Sequence, residues 1–274
     1  MITSTNEYSH TIGIASFEGR GFMNPIDVVF NNNLLYVLSR SNASNKNNRV
    51  SVLTLDSDHK FEFANWGEDS GKSILPTAIA IDKEDNFILS DEHLNRISIF
   101  DLEGNFIKHW GEFGNKPGQL NRPSGISIDS QNNILIVDHL NSRIQKFDNN
   151  GKFISSFGKY GNDESEFNYP WGIDTDKDQN IYVADWRNNR IQMFSSEGDY
   201  LSSIEKYEDK KLNKPSSVHI NSKGIIFVTN WADDSVVIYD SNHKFITKLI
   251  GDATISKWCQ EFLDVNPEQS SWRE

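Results

Sequence analysis

Apolar runs of about four to six residues, enriched in Ile, Val and Phe, recur along the chain and are separated by clusters of Asp, Asn and Gly. Runs of this length, rich in β-branched and aromatic residues and bounded by turn formers, predict strands. One stretch serves as a template: NRPSGISID, NNILIVDHLNSRIQKFD and GKFISSFG carry four such runs. The same arrangement returns in LPTAIAID, NFILSDEHLNRISIFD, GNFIKHWG and in YPWGIDTD, NIYVADWRNNRIQMF, GDYLSSI. Between the third and fourth runs lie DLEGNF, DNNGKF, SSEGDY and DSNHKF, which predict hairpin turns with Gly or Asn at the positive-φ position.

The pattern is periodic. Pro25, Pro76, Pro123, Pro170 and Pro215 are spaced by 51, 47, 47 and 45 residues, whereas Pro117 and Pro267 lie outside the series. Arg49, Arg96, Arg143 and Arg190 step by 47, and Ser235 holds the next position after 45. The first unit is lengthened by SNASNKNN. Four short antiparallel strands per unit describe a propeller blade, because such a sheet cannot bury both faces alone and must stack on its neighbours around an axis.

The run Pro-x-Gly-Ile-x-Ile-Asp followed by Ile-x-Val-Ala-Asp-x-x-Asn-x-Arg-Ile-Gln-x-Phe, best matched by Pro123 to Phe147 and Pro170 to Phe194, resembles the NHL repeat of bacterial and archaeal proteins. The Trp-Asp ending of WD-type blades is absent. The resemblance covers nearly the whole chain and implies an all-β, NHL-type β-propeller of four-stranded antiparallel blades, with five recognisable blades of an expected six. As one domain, 1–274, the chain divides into an outer or latch strand (1–19), blades at 20–67, 68–114, 115–161, 162–206 and 207–251, and a helical tail (252–274). In that tail Ser256 is the expected N-cap, Lys257 to Leu263 a short helix and Pro267 its stop. In bacterial relatives a similar Ser-Lys-Trp helix precedes the final blade, so the reading expects a six-bladed ring one blade short, the alternative being an open or five-bladed variant. Its open edges would invite partner closure or self-association.

Composition agrees with thin, repeated interfaces: of 274 residues only 36% are hydrophobic, yet 12% are aromatic. The net charge of −12 argues against nucleic acid and anionic membranes as partners. No apolar run reaches the roughly 18 residues of a membrane helix, and the start lacks a basic then apolar leader, so the expected location is cytoplasmic. Cys259 is the single cysteine, which excludes an internal disulfide or a multi-cysteine zinc site.

Three constellations are candidates for chemistry or structure. The segments Asp91 to Arg96, Asp138 to Arg143 and Asp185 to Arg190 repeat around the ring, so their charged pairs are expected to tie loops to blades. Asn230 and Ser235 replace the pair in the fifth unit, where its interaction is expected to be lost. Loops entering the first strand and loops joining the second to the third share one face of a propeller. There Trp171, Trp186 and Trp231, with Arg187, His139 and His93, form a candidate surface for a protein, peptide or small ligand. Four residues after each blade proline come Val29, Ala80, Ser127, Asp174 and His219, so Asp174 and His219 are expected to form a buried hydrogen-bonded pair near the channel, raising the imidazole pKa.

The peptide-amidating lyases of this repeat family are implied to place zinc histidines just after the blade proline. Here those positions are Ile26, Thr77, Ser124, Trp171 and Ser216, so zinc is not supported. Calcium, which lactonase propellers hold at the channel mouth, is compatible with the abundant Asp and Asn but assignable to no residues. The leading reading is a non-catalytic binding or scaffold module without an identified cofactor; the alternative is a propeller enzyme, a metal-dependent hydrolase or lyase acting at the channel mouth.

Overall fold

The computed structural model describes residue 12 and residues 21–41, 46–251 and 257–265. Within them the chain builds five four-stranded antiparallel sheets, each running in sequence order from the innermost to the outermost strand. The innermost strands are Pro25–Asn31, Pro76–Ile81, Pro123–Ile128, Pro170–Thr175 and Pro215–Ile220. Every one carries a register shift just after its proline, and the pairing of the third strand with the fourth shifts near the far end in each blade. Such bulges bend the strands and increase their twist. Two short additions were not legible as strands: Lys159–Tyr160 pairs in parallel with Glu166–Phe167, and Lys206–Tyr207 pairs with Lys210–Lys211. The helix spans Lys257–Val265. The expected N-terminal strand and the helix cap Ser256 lie outside the described residues.

Side chains alternate across each sheet and feed two different cores. In blade 2, Phe87 and Leu89 face blade 1 and join Tyr36, Leu38, Val50, Val52 and Phe63, whereas Ile88 and Ile97 face blade 3 and join Ile126, Ile134, Ile136 and Phe147. The second and third strands are therefore apolar on both faces, and Phe87–Asp91 and Arg96–Phe100 are buried throughout. The aromatic residues concentrate at these seams: Phe63 lies 5.1 Å from Phe100, and Phe194 lies 4.8 Å from Phe157 and 5.5 Å from Phe167. Neighbouring innermost strands pack successively from blade 1 to blade 5. Among the described residues no hydrophobic cluster joins blade 5 back to blade 1. The outer face of blade 1 carries Phe22, Val37 and Leu53 with Ile12, and its inner strand leaves Ile26, Val28 and Phe30 exposed.

The hairpin glycines have a second role beyond their φ values. Gly104, Gly151 and Gly198 have φ of 80°, 84° and 91°, and a Cβ at each would lie within 2.8 Å of Phe63, Trp110 and Phe157, the last outer-strand aromatic of the preceding blade. In blade 5 the positive φ falls on His243 (62°), not on Asn242, which corrects the expectation that Gly or Asn would supply it. The outer-strand position of blade 4 equivalent to Phe63, Trp110 and Phe157 is Ile204, smaller than those aromatics, and the His243 ring lies 6.4 Å from Tyr182.

Candidate functional site

The loop face is organised by the repeated carboxylate at the end of each second strand. Asp138 Oδ1 accepts the Asn121 amide (2.7 Å), while its Oδ2 accepts Arg143 Nε (2.7 Å), Asn141 Nδ2 (2.8 Å) and Gln145 Nε2 (3.0 Å). Asp185 repeats this with Asn168, Arg190, Asn188 and Gln192. The remaining guanidinium donors reach carbonyls of the incoming loop: Asn115, Lys116 and Gln119 for Arg143, and Asp163 and Glu166 for Arg190. Burial pushes both Asp138 and Asp185 up despite these donors.

Blade 2 departs from the expected pair. Asp91 accepts the amides of Ile74, His93 and Leu94 and makes no ion pair with Arg96, whose guanidinium instead donates to the carbonyls of Glu68, Asp69 and Lys72. The residue three after Asp91 is Leu94, whereas blades 3 and 4 have Asn141 and Asn188 there to orient the carboxylate. Arg96 Nε is buried without a partner, and burial lowers the Arg96 pKa. In blade 5 the pair interaction is lost as expected, with Ser235 Oγ buried without a partner, but the contact three residues on is kept with its polarity reversed: Asn230 Nδ2 donates to Asp233 Oδ2 (2.8 Å), and Asn230 Oδ1 accepts the Asn213 amide (2.6 Å).

On these caps stand one-turn 3₁₀ segments, His139–Asn141, Trp186–Asn188 and Trp231–Asp233, each ended by a left-handed residue, Ser142, Asn189 or Asp234. The residue before the blade proline is also left-handed in blades 1, 3, 4 and 5: Asn24 (φ 48°), Arg122 (53°), Tyr169 (58°) and Lys214 (53°). The Lys214 amide is held by Asn189 Oδ1 (2.9 Å) and the Arg122 amide by Asn95 Oδ1 (2.8 Å). Non-glycine residues in this region carry backbone strain, which the cross-blade hydrogen bonds help to sustain.

The result is one row across three blades. His139 sits edge-on to Tyr169 (5.1 Å) and Trp171 (4.9 Å), with Nδ1 donating to the Pro170 carbonyl (2.9 Å). Arg187 stacks over Tyr169 at 4.1 Å and lies 5.9 Å from Trp186. Trp186 is 6.0 Å from Trp231, and the Lys214 ammonium stands 5.1 and 6.0 Å from the two rings. Trp231 is 57% exposed, Arg187 is exposed and Trp186 is half-buried, so this part of the row faces solvent. Buried His139 and half-buried Trp171 form its floor, and desolvation lowers the His139 pKa. Tyr169 and Lys214 were missed from sequence. Their signal was the position before each blade proline, which varies through Asn24, Leu75, Arg122, Tyr169 and Lys214. His93 stands apart on a smaller cavity of about 190 Å³ with Glu92, Phe113 and Arg122. Thr77 and Ser124 are buried and donate to the Pro123 and Trp171 carbonyls of the next blade, so these loop-entry hydroxyls stitch the ring.

The five inner strands enclose a cavity of about 820 Å³ whose ionisable lining residues are Asp27, Asp174 and His219. His219 Nδ1 lies 2.9 Å from Asp174 Oδ2, which also accepts the Ile220 amide (2.9 Å). The Asp174 hydrogen bond raises the His219 pKa, yet the imidazole is 69% exposed, which corrects the expectation of a buried pair. Asp27, not singled out from sequence, bridges blades 1 and 2 by accepting the Ile79 amide (2.9 Å), and burial pushes it up to about 6. Among the described residues no three His, Cys, Asp or Glu side chains converge as metal ligands. No helix among them is long and apolar enough to cross a membrane.

Sheets stacked around an axial cavity, with loops of successive blades combining on one face, define a β-propeller. Residues 167–194 match the NHL repeat and residues 76–156 match a family described as a 6-bladed beta-propeller, so the chain is a β-propeller that carries an NHL repeat. No curated protein sequence matches the chain. Among solved structures, a virginiamycin B lyase from Staphylococcus aureus is similar with a TM-score of 0.60 at 13% identity, over 85% of this chain and 86% of that one. A chain in a nidogen/laminin complex is similar with a TM-score of 0.64 at 16% identity, over 86% and 83%. A protein of unknown function from Bacteroides caccae gives 0.63 at 13%, over 82% and 81%. At these identities the likeness is one of fold.

Proposed function

We propose that the protein is a binding module that presents the loop face of blades 3 to 5 to a protein, peptide or small ligand. The observation that carries this reading is the row of Tyr169, Trp186 and Trp231 with Arg187 and Lys214 stacked on their faces. Rigid aromatic groups with a few directed donors are what binding surfaces enrich, because they supply contact area at low entropic cost. The fold-level likeness to a chain of a nidogen/laminin complex supports a protein-binding role by analogy. The test is selection of a random peptide library and a small-molecule thermal-shift panel on the wild type and on a Trp186→Ala/Trp231→Ala variant. The expected result is ligands retained by the wild type and lost by the variant; a wild type that retains none, or a variant that retains the same ones, overturns the reading.

A second reading, an enzyme acting at the channel mouth, draws on one observation, the Asp174–His219 pair at the edge of the 820 Å³ cavity. A carboxylate-held imidazole is a competent general base. The described donor groups do not form a metal cage, so this reading rests on the pair and not on calcium or zinc. Turnover abolished by His219→Gln, with peptide binding unchanged, would favour it over the binding module.

A further inference from the structure

We infer that the ligand of the loop face is an acidic peptide segment of a partner protein, with carboxylates alternating with aromatic or aliphatic side chains. This deepens the binding-module reading and rests on it.

Charge comes first. The chain carries 39 acidic and 27 basic residues, so a cation on its surface has many carboxylates to choose from. The nearby Arg40 is taken by Glu92, and Arg143 and Arg190 by their own aspartates. Among the described residues Arg187 and Lys214 make no ion pair. Each lies instead against an aromatic face, Arg187 on Tyr169 and Lys214 near Trp186 and Trp231. A guanidinium stacked on a ring keeps its in-plane N–H groups available, the geometry that a carboxylate takes in a bidentate pair. Stacking also limits the side-chain freedom to be lost on binding.

Shape and backbone point the same way. The row runs from His139 through Tyr169, Arg187, Trp186 and Lys214 to Trp231, with successive contacts of 5.1, 4.1, 5.9, 5.1 and 6.0 Å. It thus crosses three blades with cations set between rings, which suits an extended chain bearing charged and apolar groups in turn better than one compact ring. Tyr169 and Lys214 are both held in the left-handed region. Asn24 and Arg122 share that conformation at the same register, so this turn is a repeated device that fixes where each blade aims the side chain before its proline.

The experiment selects a random peptide library against the full chain and reads the composition of the retained sequences. Asp and Glu adjacent to Trp, Tyr, Phe or Leu should be enriched. The best retained peptide should bind the Arg187→Gln/Lys214→Gln variant at least ~10-fold more weakly, with wild-type affinity falling as salt is raised. The Lys108→Gln/Lys152→Gln variant, altered on outer strands and turns, should bind as the wild type does, and circular dichroism of each variant checks the fold. Enrichment of neutral or basic peptides whose binding is lost in Trp186→Ala/Trp231→Ala would overturn the acidic assignment and leave the binding module standing. Acidic peptides held equally by Arg187→Gln/Lys214→Gln would overturn the assignment of the two cations. Retention of no peptide class would overturn both readings.

Discussion

His139 and His219 come from neighbouring stretches of the same repeat logic but sit in opposite electrostatic settings. Burial depresses His139 below the ordinary 6.5, and the Asp174 hydrogen bond raises His219 above it. The linkage signs are therefore opposite. A raised pKa means that the stabilisation from His219 is present below 6.5 and is lost as pH rises through the folded value. A depressed pKa means that His139 destabilises the fold as pH falls below 6.5, because the unfolded chain takes up the proton first. An NMR titration of the imidazole carbons should place His219 above and His139 below 6.5, and His219 should drop in Asp174→Asn; a His219 unmoved by that change would dissolve the pair. Proline spacing brought these two histidines to notice, but it carried no information on burial. Exposure of His219 follows from its place on the lining of the axial cavity beside Asp174, and burial of His139 follows from Tyr169 and Trp171 packing edge-on against it.

At the scale of the strand and turn, the repeated aspartate works as a cap whose details depend on its neighbours three and five residues on. Asp185 satisfies Asn188, Arg190 and Gln192 at once, so Asp185→Asn should cost about 3 kcal/mol, as breaking a buried charged pair does. Blade 5 shows a working reversed version in Asn230 and Asp233. Adding Asn188→Asp to Asp185→Asn should therefore recover about 1 kcal/mol or more in urea denaturation; a simple sum of two losses would contradict the swap. The hairpin turns make a second case. Gly198→Ala combines a φ of 91° with a 2.6 Å approach to Phe157, and should cost about 2 kcal/mol or more. His243→Gly, which relieves a left-handed non-glycine residue, should gain up to about 1 kcal/mol. The turns themselves were legible from DLEGNF and its equivalents. The partner that makes glycine obligatory was not, because it lies on the preceding blade some 40 residues earlier, from Phe157 to Gly198.

For the molecule as a whole, stability should behave as a chain of blade-to-blade interfaces, each contributing its own core. Phe100 belongs to the seam of blades 1 and 2, and Phe194 to that of blades 3 and 4. Each replaced by Ala should cost about 3–5 kcal/mol, and the double variant should equal their sum within about 0.5 kcal/mol. A deviation of several kcal/mol would show that the blades unfold as one tightly coupled core. The repeat, the four strands per blade, the hairpin turns and the axial stacking were determined by sequence alone, because strand periodicity, turn residues and a constant spacing are local properties that each copy restates. The identity of the loop-face aromatics was visible there too, as residues that vary between blades at one register. Only the tertiary structure decided that Arg187 and Lys214 lie on those rings without carboxylate partners, that Asp91 leaves Arg96, and that Asp27 bridges blades 1 and 2. Each depends on a side chain meeting another from a different blade or loop, and a one-dimensional pattern does not contain that distance.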